Sequence, residues 1–318
     1  MQASDNRLID PSVGRIGGRD AAVGIAYSPY AESLVVQEPG LIDYVEIPFE
    51  QLVATPAAIA VADHVPVVLH CASLSVAGNA APSADLVEQL ERWIERTRTP
   101  WLGEHLAYVR ADGVFRELAE HPALLGDAAS GPFNVGYTVS PQLSEPILER
   151  VVNAGAHWRE RLALPLLLEN GPMYFSMPGS TMTQFDFIRA MCARSDSMLL
   201  LLDLAHFTIT CENLMLDPFD ALESLPLERV VEVHVSGARY QSGVFWDDHT
   251  EPAAPIVFEL LARLLQRVRP RAVTLEYNWD VRFPREVVRR DAARVRQLLA
   301  DAECRTPTSW MPTELTRS

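Results

Sequence analysis

The sequence contains no lysine, and all 27 of its basic residues are arginine. This absence excludes every chemistry that needs a lysine amine, including pyridoxal-phosphate Schiff bases, lysine-dependent aldol reactions and the P-loop lysine of nucleotide-binding proteins. A compositional bias toward arginine accounts for the absence, and the exclusion holds whatever its cause.

Other features that the sequence lacks indicate the kind of protein. Its four cysteines (Cys71, Cys192, Cys211 and Cys304) form no CxxC pair, which favours reduced thiols over a disulfide framework. No apolar run approaches the roughly 18 residues of a membrane span, and MQASDNRLID lacks the pattern of a signal peptide. A net charge of −15 disfavours nucleic acid as a partner. We therefore expect a cytoplasmic protein with no membrane or nucleic-acid partner.

Eight short apolar runs predict the strands, at residues 21–28, 42–49, 65–71, 100–106, 165–170, 198–206, 230–237 and 272–278. Helix-period stretches separate most of them, at residues 84–97, 144–162, 183–195 and 255–268, and a further one at 284–302 follows the last run. Such alternation is typical of a parallel sheet covered by helices on both faces. Eight strands predict an α/β fold, a closed (β/α)8 TIM barrel, and no GxGxxG follows the first strand to favour an open nucleotide-binding sheet.

The barrel is predicted to be a single domain, residues 21–302, between an N-terminal tail (1–20) and a C-terminal tail (303–318). Two connections are long, residues 107–141 after the fourth strand and 236–255 after the seventh. Long loops on such folds usually close over or bind a substrate.

Seven of the eight runs place histidine or carboxylate side chains at or near their C-terminal ends, which in a barrel converge on one rim. These residues, with Asn170 beside them and the WDDH loop after the seventh run, are Glu46, Glu50 just past the second run, His70, Glu104, His105, Glu169, Asp203, His206, Glu232, His234, Asp247, Asp248, His249 and Glu276. A single histidine there is more often a hydrogen-bonded core residue, and a single Asp or Glu is more often a helix N-cap. So many carboxylates on one rim nevertheless cost too much free energy unless cations neutralise them.

Imidazole and carboxylate ligands without thiolate suit Fe, Mn, Co or Zn. Cys71 points away from His70 because strand side chains alternate, and we interpret it as a packing residue. The candidate ligands exceed the six positions around one ion, so we expect two or three ions bridged by carboxylates, with Glu169 a good bridge. Hydrolysis, sugar isomerisation and activation of O2 all remain open at this point.

The ordered set of motifs VEIPFE, VVLHCASLSV, LGEHLAY, LLLENGPMYF, LLLDLAHF, VEVHVSG, WDDHTEP and TLEYN resembles the multinuclear non-heme iron-dependent oxidases, relatives of the methanobactin-biosynthesis oxidase subunit. The resemblance runs from about Val23 to Asp280. It implies a xylose-isomerase-like TIM barrel that holds two or three irons in mixed Fe(II)/Fe(III) states. It also implies an enzyme that uses O2 to modify a Cys, Asn or Asp residue of a ribosomally made precursor peptide.

By position, the resemblance assigns metal-ligand roles to nine residues: His70, His105, Glu169, Asp203, His206, His234, Asp247, His249 and Glu276. It places Asn170 and Glu46 close to the metals as candidate catalytic residues, and it prefers Asp247 to Asp248 because the family motif reads Asp-x-His. It also implies a separate peptide-recognition partner protein.

The sequence departs from the family pattern at the rim, for example at Gly237-Ala238 and at Glu276-Tyr277-Asn278, where the family often has Gly-His and Glu-Arg-Asp. None of these departures removes a proposed ligand, but they bear on which substrate is bound. Two alternatives remain. One is a divalent-metal isomerase or hydrolase like xylose isomerase or endonuclease IV, and the other is a non-catalytic metal-binding barrel subunit.

Overall fold

All eight predicted strands are present in the computed structural model, which describes residues 13–112, 133–277 and 283–304. The strands in the described residues are β1 (Ala22–Ala26), β2 (Tyr44–Pro48), β3 (Val67–Cys71), β4 (Leu102–His105), β5 (Tyr108–Ala111), β6 (Phe133–Val139), β7 (Leu166–Glu169), β8 (Leu199–Asp203), β9 (Val230–Val235), β10 (Arg239–Gln241), β11 (Val244–Trp246) and β12 (Ala272–Leu275).

The helices are α1 (Pro29–Gln37), α2 (Phe49–Ala54), α3 (Ala84–Thr97), α4 (Glu145–Leu162), α5 (Gln184–Arg194), α6 (Leu204–Leu214), α7 (Pro218–Glu223), α8 (Pro255–Leu264) and α9 (Arg285–Cys304), with 3-10 turns at Pro56–Asp63 and Leu227–Arg229. Helix α3 has the predicted bounds. Ser83 caps its first turn by accepting a hydrogen bond from the Leu86 N–H, and Arg98 ends it in the left-handed conformation.

Eight strands close into a parallel barrel in the order β1-β12-β9-β8-β7-β4-β3-β2. The closed parallel barrel confirms the predicted fold class. The register pairs His105 with Glu169 and Asp203 with His234 on neighbouring strands. The hydrophobic residues of β7, β8 and β9 are buried, as expected for strands that helices cover. This register brings the polar strand ends to one rim.

The sixth predicted strand differs from the structure at its end. We predicted it over residues 198–206, but β8 ends at Asp203 and α6 begins at Leu204, so His206 lies in the first turn of a helix. The Asp203 carboxylate accepts a hydrogen bond from the His206 N–H at 2.6 Å and caps that helix. The apolar run continues through the boundary because strand and helix are both buried there.

The predicted tails and loops also differ in detail. Val13 and Ile16 are only 2% exposed, so the packed chain extends into the predicted N-terminal tail, and α9 continues to Cys304 rather than ending at 302. Residues 1–12 and 305–318 of the tails, 113–132 of the first long loop and 278–282, which include Asn278, lie outside the described residues. The described parts of the two long loops form hairpins, β5–β6 and β10–β11.

None of the helices in the described residues combines the length and apolar character that crossing a lipid bilayer requires.

Candidate metal centre

The nine side chains proposed as ligands gather at the C-terminal rim of the barrel as three groups, two of which share one residue. Within each group the donor atoms lie within 4.8 Å of one another. The groups are His70, His105 and Glu169; Glu169, Asp203, His234 and Glu276; and His206, Asp247 and His249. Together they present five imidazoles and four carboxylates. Each group contains enough protein ligands to hold one ion with coordination positions left over.

Glu169, at the end of β7, belongs to two of the groups. Its Oε2 lies 2.9 Å from His70 Nε2 and 3.0 Å from His105 Nδ1. Its Oε1 lies 3.1 Å from His206 Nδ1 and 3.8 Å from His234 Nδ1. The two oxygens of this fully buried carboxylate therefore face different histidines, which is the geometry of a bridging ligand.

The second group surrounds His234, which is completely buried on β9. Its Nδ1 lies 2.9 Å from Glu276 Oε2 and 3.8 Å from Asp203 Oδ2. Its Nε2 is in hydrogen-bond contact with Glu46 Oε2 at 3.1 Å. Glu46 therefore lies on the opposite side of the imidazole ring from Glu276 and Asp203.

The third group joins the start of α6 to the WDDH loop. His206 Nε2 lies 2.9 Å from Asp247 Oδ2, and His249 Nε2 lies 3.0 Å from Asp247 Oδ1. Asp248 points elsewhere and pairs with Arg239 at 2.7 Å. The structure thus places Asp247, and not Asp248, among the candidate ligands.

Backbone carbonyls fix the tautomers of two histidines in this group. His206 Nδ1 lies 2.9 Å from the Asn170 carbonyl oxygen, and His249 Nδ1 lies 2.7 Å from the Glu276 carbonyl oxygen. Because a carbonyl oxygen only accepts, each Nδ1 is the donor. In the neutral ring the lone pair is then on Nε2, which is how histidine is commonly held as a metal ligand.

Asn170 holds the Asp203 backbone through its side chain. Its amide nitrogen donates to the Asp203 carbonyl, and its amide oxygen accepts from the Asp203 N–H, both at 2.9 Å. Asn170 is only 3% exposed, so its side-chain amide forms hydrogen bonds with the protein and not with solvent. We interpret Asn170 as a residue that positions Asp203 and His206.

Buried atoms without hydrogen-bond partners test whether this site fits metal ions. Glu169 Oε1 and Oε2, His70 Nε2, Asp203 Oδ2 and Asp247 Oδ1 are all buried and make no hydrogen bond. Although His70 Nε2 and Glu169 Oε2 are 2.9 Å apart, their orientation is not that of a hydrogen bond. Ligand atoms about 2.1 Å from one ion lie about 3.0 to 3.4 Å apart, close to the spacings seen here. The residues fit metal ions.

Burial and neighbouring opposite charges shift the pKa values of the candidate ligands. Burial lowers the pKa of His70 to about 4 and raises that of Asp203 to about 6. Burial alone would raise the pKa of Glu169, but the neighbouring His105 and His206 outweigh it and lower the value to about 2. Burial would lower the pKa of His249, but Glu276 and Asp247 outweigh it and raise it to about 10.

A hydrogen-bonded polar network lies inside the barrel beneath the site. Trp101 Nε1 donates to Glu232 Oε2 at 2.7 Å, and the Tyr44 hydroxyl donates to Glu232 Oε1 at 3.0 Å. Thr274 Oγ1 lies within 2.7 Å of Glu232 Oε1 and 3.3 Å of Glu46 Oε2. Glu46, Glu232 and His234 form a fourth acidic group, but both Glu232 oxygens are satisfied by protein donors. We call these residues the barrel floor: Tyr44, Glu46, Trp101, Glu232 and Thr274.

The sequence placed Glu232 near the rim but gave no sign of its partners, because Trp101 and Tyr44 look like ordinary packing residues.

Two further carboxylates, Glu50 and Glu104, lie apart from the three groups. Glu50 accepts from the Ala72 N–H at 3.0 Å, and Glu104 accepts from the Leu74 N–H at 3.2 Å.

A cleft of about 560 Å³ opens over the centre. Five of the nine side chains line it: His105, His206, Asp247, His249 and Glu276. Its walls include Tyr137–Ser140, residues 171–175 and Met177, and the MYF of the LLLENGPMYF motif contributes Met173, Tyr174 and Phe175. The sequence prediction missed these wall residues, although their position directly after Glu169-Asn170 was the available signal. A larger surface cavity of about 700 Å³, beside α4, contains none of the nine.

Comparison with known sequences gives one family. The model of a family described as "RiPP precursor modification enzyme MbnB/TglH/ChrH" matches residues 22–125 and 139–300. A UPF0276 protein of Acaryochloris marina is 30% identical over 218 residues, which cover 68% of this chain and 71% of that protein. A UPF0276 protein of Caulobacter vibrioides is 28% identical over 269 residues, which cover 82% of this chain and 88% of that protein.

Among solved structures, a xylose isomerase-like TIM barrel protein from Mycobacterium smegmatis in complex with magnesium aligns with a TM-score of 0.50 and 11% identity, covering 91% of this chain and 99% of that chain. A putative xylose isomerase from Rhodospirillum rubrum aligns with a TM-score of 0.50 and 14% identity, covering 88% and 99%. At these identities the likeness shows the barrel fold alone.

Proposed function

Because this chain belongs to the MbnB/TglH/ChrH family of RiPP precursor modification enzymes, we propose that it is an O2-dependent, multinuclear non-heme iron oxidase. Its substrate is a ribosomally made precursor peptide, of which it modifies a Cys, Asn or Asp residue. Membership of the family supports the assignment of this chain as a peptide-modifying enzyme. The oxidase chemistry and the identity of the modified residue are what we propose beyond it.

The observation that carries the proposal is the bridging position of Glu169 between two ligand groups, with a third group alongside. This arrangement offers donor groups for two or three ions. The ligands are imidazole nitrogen and carboxylate oxygen, which suit iron. When bound, iron ions would supply the binding and reductive activation of O2, in mixed Fe(II)/Fe(III) states.

The chain's own residues divide the site into a buried and an accessible side. Glu169, Asp203 and His234 have completely buried side chains, whereas those of His105, Asp247, His249 and Glu276 are 16% to 25% exposed. The substrate therefore approaches from the cleft, where the partly exposed ligands lie. The buried side excludes water from the deeper ligands and strengthens their electrostatic interactions.

Asn170 and Glu46 orient ligands in this proposal. Asn170 fixes the Asp203 backbone and, through its carbonyl, the His206 ring, while Glu46 faces the Nε2 of His234. Both act through a ligand, so we assign them positioning roles in place of direct contact with the substrate.

We also propose that the protein works in the cytoplasm and that a separate recognition protein delivers the precursor. The net charge of −15 supports the second point, because such a body repels acidic peptide segments. Turnover of a full precursor with and without a candidate recognition protein from the same gene neighbourhood tests it, and equal turnover would contradict it.

The deciding experiment is metal analysis with Mössbauer spectroscopy on protein purified without air. We expect two or three irons per chain and uptake of O2 when a substrate peptide is present. Stoichiometric zinc, with no iron even after anaerobic iron loading, would overturn the oxidase assignment. Sugar isomerisation without O2 uptake would instead identify a barrel isomerase.

A second measurement separates an enzyme from a metal-binding subunit. Nitric oxide added to the ferrous protein should give an EPR signal, because a catalytic site keeps an open coordination position. The absence of a signal from fully loaded protein would indicate closed, structural ions.

A further inference from the structure

The histidines and carboxylates that line the cleft over the candidate metal centre are all candidate ligands. Within the described residues they are His105, His206, Asp247, His249 and Glu276. Among the residues that the structure describes, the remaining lining residues carry no charge and none of them is an arginine. Beyond the candidate ligands, the described surface that an occupant meets is therefore neutral.

The described wall of the cleft contains a set of large apolar and aromatic side chains, Tyr137, Met173, Tyr174, Phe175 and Met177. Phe175 is 60% exposed and Tyr137 is 68% exposed, although both line a concave surface. Large exposed apolar side chains beside a reactive centre indicate a surface that is covered when a ligand binds. Methionine and aromatic side chains are well suited to contact another large apolar group.

The chain segments that bound the cleft indicate the shape of its occupant. Tyr137, Thr138, Val139 and Ser140 line it consecutively. Successive strand side chains point to opposite faces, so consecutive lining residues mean that β6 presents its edge to the cleft. Within the described residues, β6 pairs with β5 alone, and such an edge can bind an extended peptide through main-chain hydrogen bonds.

We propose that this cleft binds an extended segment of the precursor peptide in which a large apolar or aromatic side chain lies next to the modified residue. The inference rests on the proposed function and adds the chemistry of the flanking sequence. The modified residue lies at the ligands, and its neighbour packs against Phe175, Tyr137 and Met173. An acidic neighbour gains no ion pair from the described wall residues, because none of them beyond the ligands is cationic.

The test uses fluorescein-labelled peptides of the form Gly-Ser-Xaa-Cys-Xaa-Ser-Gly, with both Xaa residues Phe, Gly or Asp, and matched series with Asn or Asp at the centre. Binding to the metal-loaded full chain is measured by anisotropy without O2. In at least one series we expect the Phe peptide to bind roughly tenfold or more tightly than the Gly peptide, since burying a phenyl ring gives about 1.5 to 3 kcal/mol. The Asp peptide should also bind more weakly than the Phe peptide, because it has no apolar ring to place against the wall.

Two variants assign the preference to the cleft. Phe175→Ser should reduce the ratio between Phe and Gly peptides to within about threefold. Phe219→Ser is the matched control, because Phe219 is also an exposed phenylalanine, 37% exposed on α7, and does not line the cleft. It should leave the ratio unchanged.

Equal binding of the Phe, Gly and Asp peptides in all three series would overturn the inference, as would a preference that survives Phe175→Ser. Coverage of the β6 edge by another part of this chain would appear as failure of all peptides to bind, which also overturns it. The proposed function fails separately. If the Phe peptide binds preferentially but iron-loaded protein forms no product in air from a full precursor with its recognition protein present, the cleft assignment stands and the oxidase assignment does not.

Discussion

The side-chain amide of Asn170 holds the peptide groups on both sides of the Asp203 Cα, donating to its carbonyl and accepting from its N–H at 2.9 Å each. This pair of hydrogen bonds joins the end of β7 to the end of β8. It thereby fixes the distance between Glu169 and Asp203, two residues that share a ligand group.

The first prediction concerns these two hydrogen bonds from Asn170 to the Asp203 backbone. Asn170→Ala should lower metal content and reduce the free energy of unfolding by about 1 to 3 kcal/mol, because buried backbone groups lose their partners. Asn79→Ala is a close control, since Asn79 makes the same two hydrogen bonds to the backbone of Asp112 at an exposed position. The control should keep its metal. An Asn170→Ala protein with full metal content but no turnover would show that Asn170 acts on the substrate instead.

The second prediction distinguishes the roles of the two carboxylate oxygens of Asp203. Its Oδ1 caps α6, whereas its Oδ2 is buried without a hydrogen-bond partner and faces His234. Asp203→Asn retains a capping oxygen, so the protein should fold while its metal content and activity fall. Asp203→Ala should in addition lose about 1 kcal/mol of stability.

Asp217 provides the control for the cap, because its carboxylate caps α7 in the same way, far from the ligand groups. Asp217→Ala should cost about 1 kcal/mol and leave the metal content unchanged. Full metal occupancy in Asp203→Asn and Asp203→Ala alike, measured by elemental analysis, would show that Asp203 is not a ligand.

The third prediction is a pH dependence of metal-induced stabilisation. The pKa of His249 is raised from about 6.5 to about 10 in the metal-free protein, because Glu276 and Asp247 outweigh the effect of burial. The stability from its protonated form is therefore fully present below pH 6.5 and is lost as the pH rises through 10. Metal binding needs the neutral ring and so improves over the same range.

The difference in Tm between metal-loaded and metal-free protein should consequently grow from pH 6.5 to pH 9, as measured by scanning calorimetry at each pH. His249→Gln should flatten this growth. A difference that shrinks as the pH rises would contradict the assignment of His249 as a proton-competing ligand.

The fourth prediction concerns the barrel floor. Trp101→Phe removes the indole donor at 2.7 Å from Glu232 Oε2, which is completely buried. The free energy of unfolding of the metal-free protein should fall by about 1 to 3 kcal/mol in urea titrations. Trp93→Phe, at a half-buried position on α3, should change it by less than about 1 kcal/mol. Equal effects of the two substitutions would mean that the Trp101 hydrogen bond adds nothing to stability.

The sequence predicted the barrel well because each of its strands is a short, continuously apolar run, a pattern that parallel strands covered on both faces produce. It did not show where β8 becomes α6. Leu202 and Leu204 are equally buried on either side of Asp203, so hydrophobicity does not change at the boundary. The two antiparallel strand pairs, β5–β6 and β10–β11, were missed because their strands are short and have little apolar alternation to detect.

For the candidate site, strand-end polarity predicted which residues reach the rim, and the family resemblance selected nine of them. Neither indicated that the two oxygens of Glu169 face different histidines, because side-chain rotamers are set by the packed surroundings. The hydrogen-bond partners of Glu232 could not be predicted from the sequence either. Tyr44 precedes it by 188 residues, and only the closed barrel brings them together.

The barrel floor closes the interior on the side away from the cleft, because Tyr44, Trp101 and Thr274 occupy the Glu232 side. The partly exposed candidate ligands all face the cleft, so in the proposed function ions and peptide use the same entrance. Metal binding then precedes substrate binding, and a bound peptide blocks the exit of the ions. A chelator should strip the ions quickly from the free protein and slowly from its peptide complex.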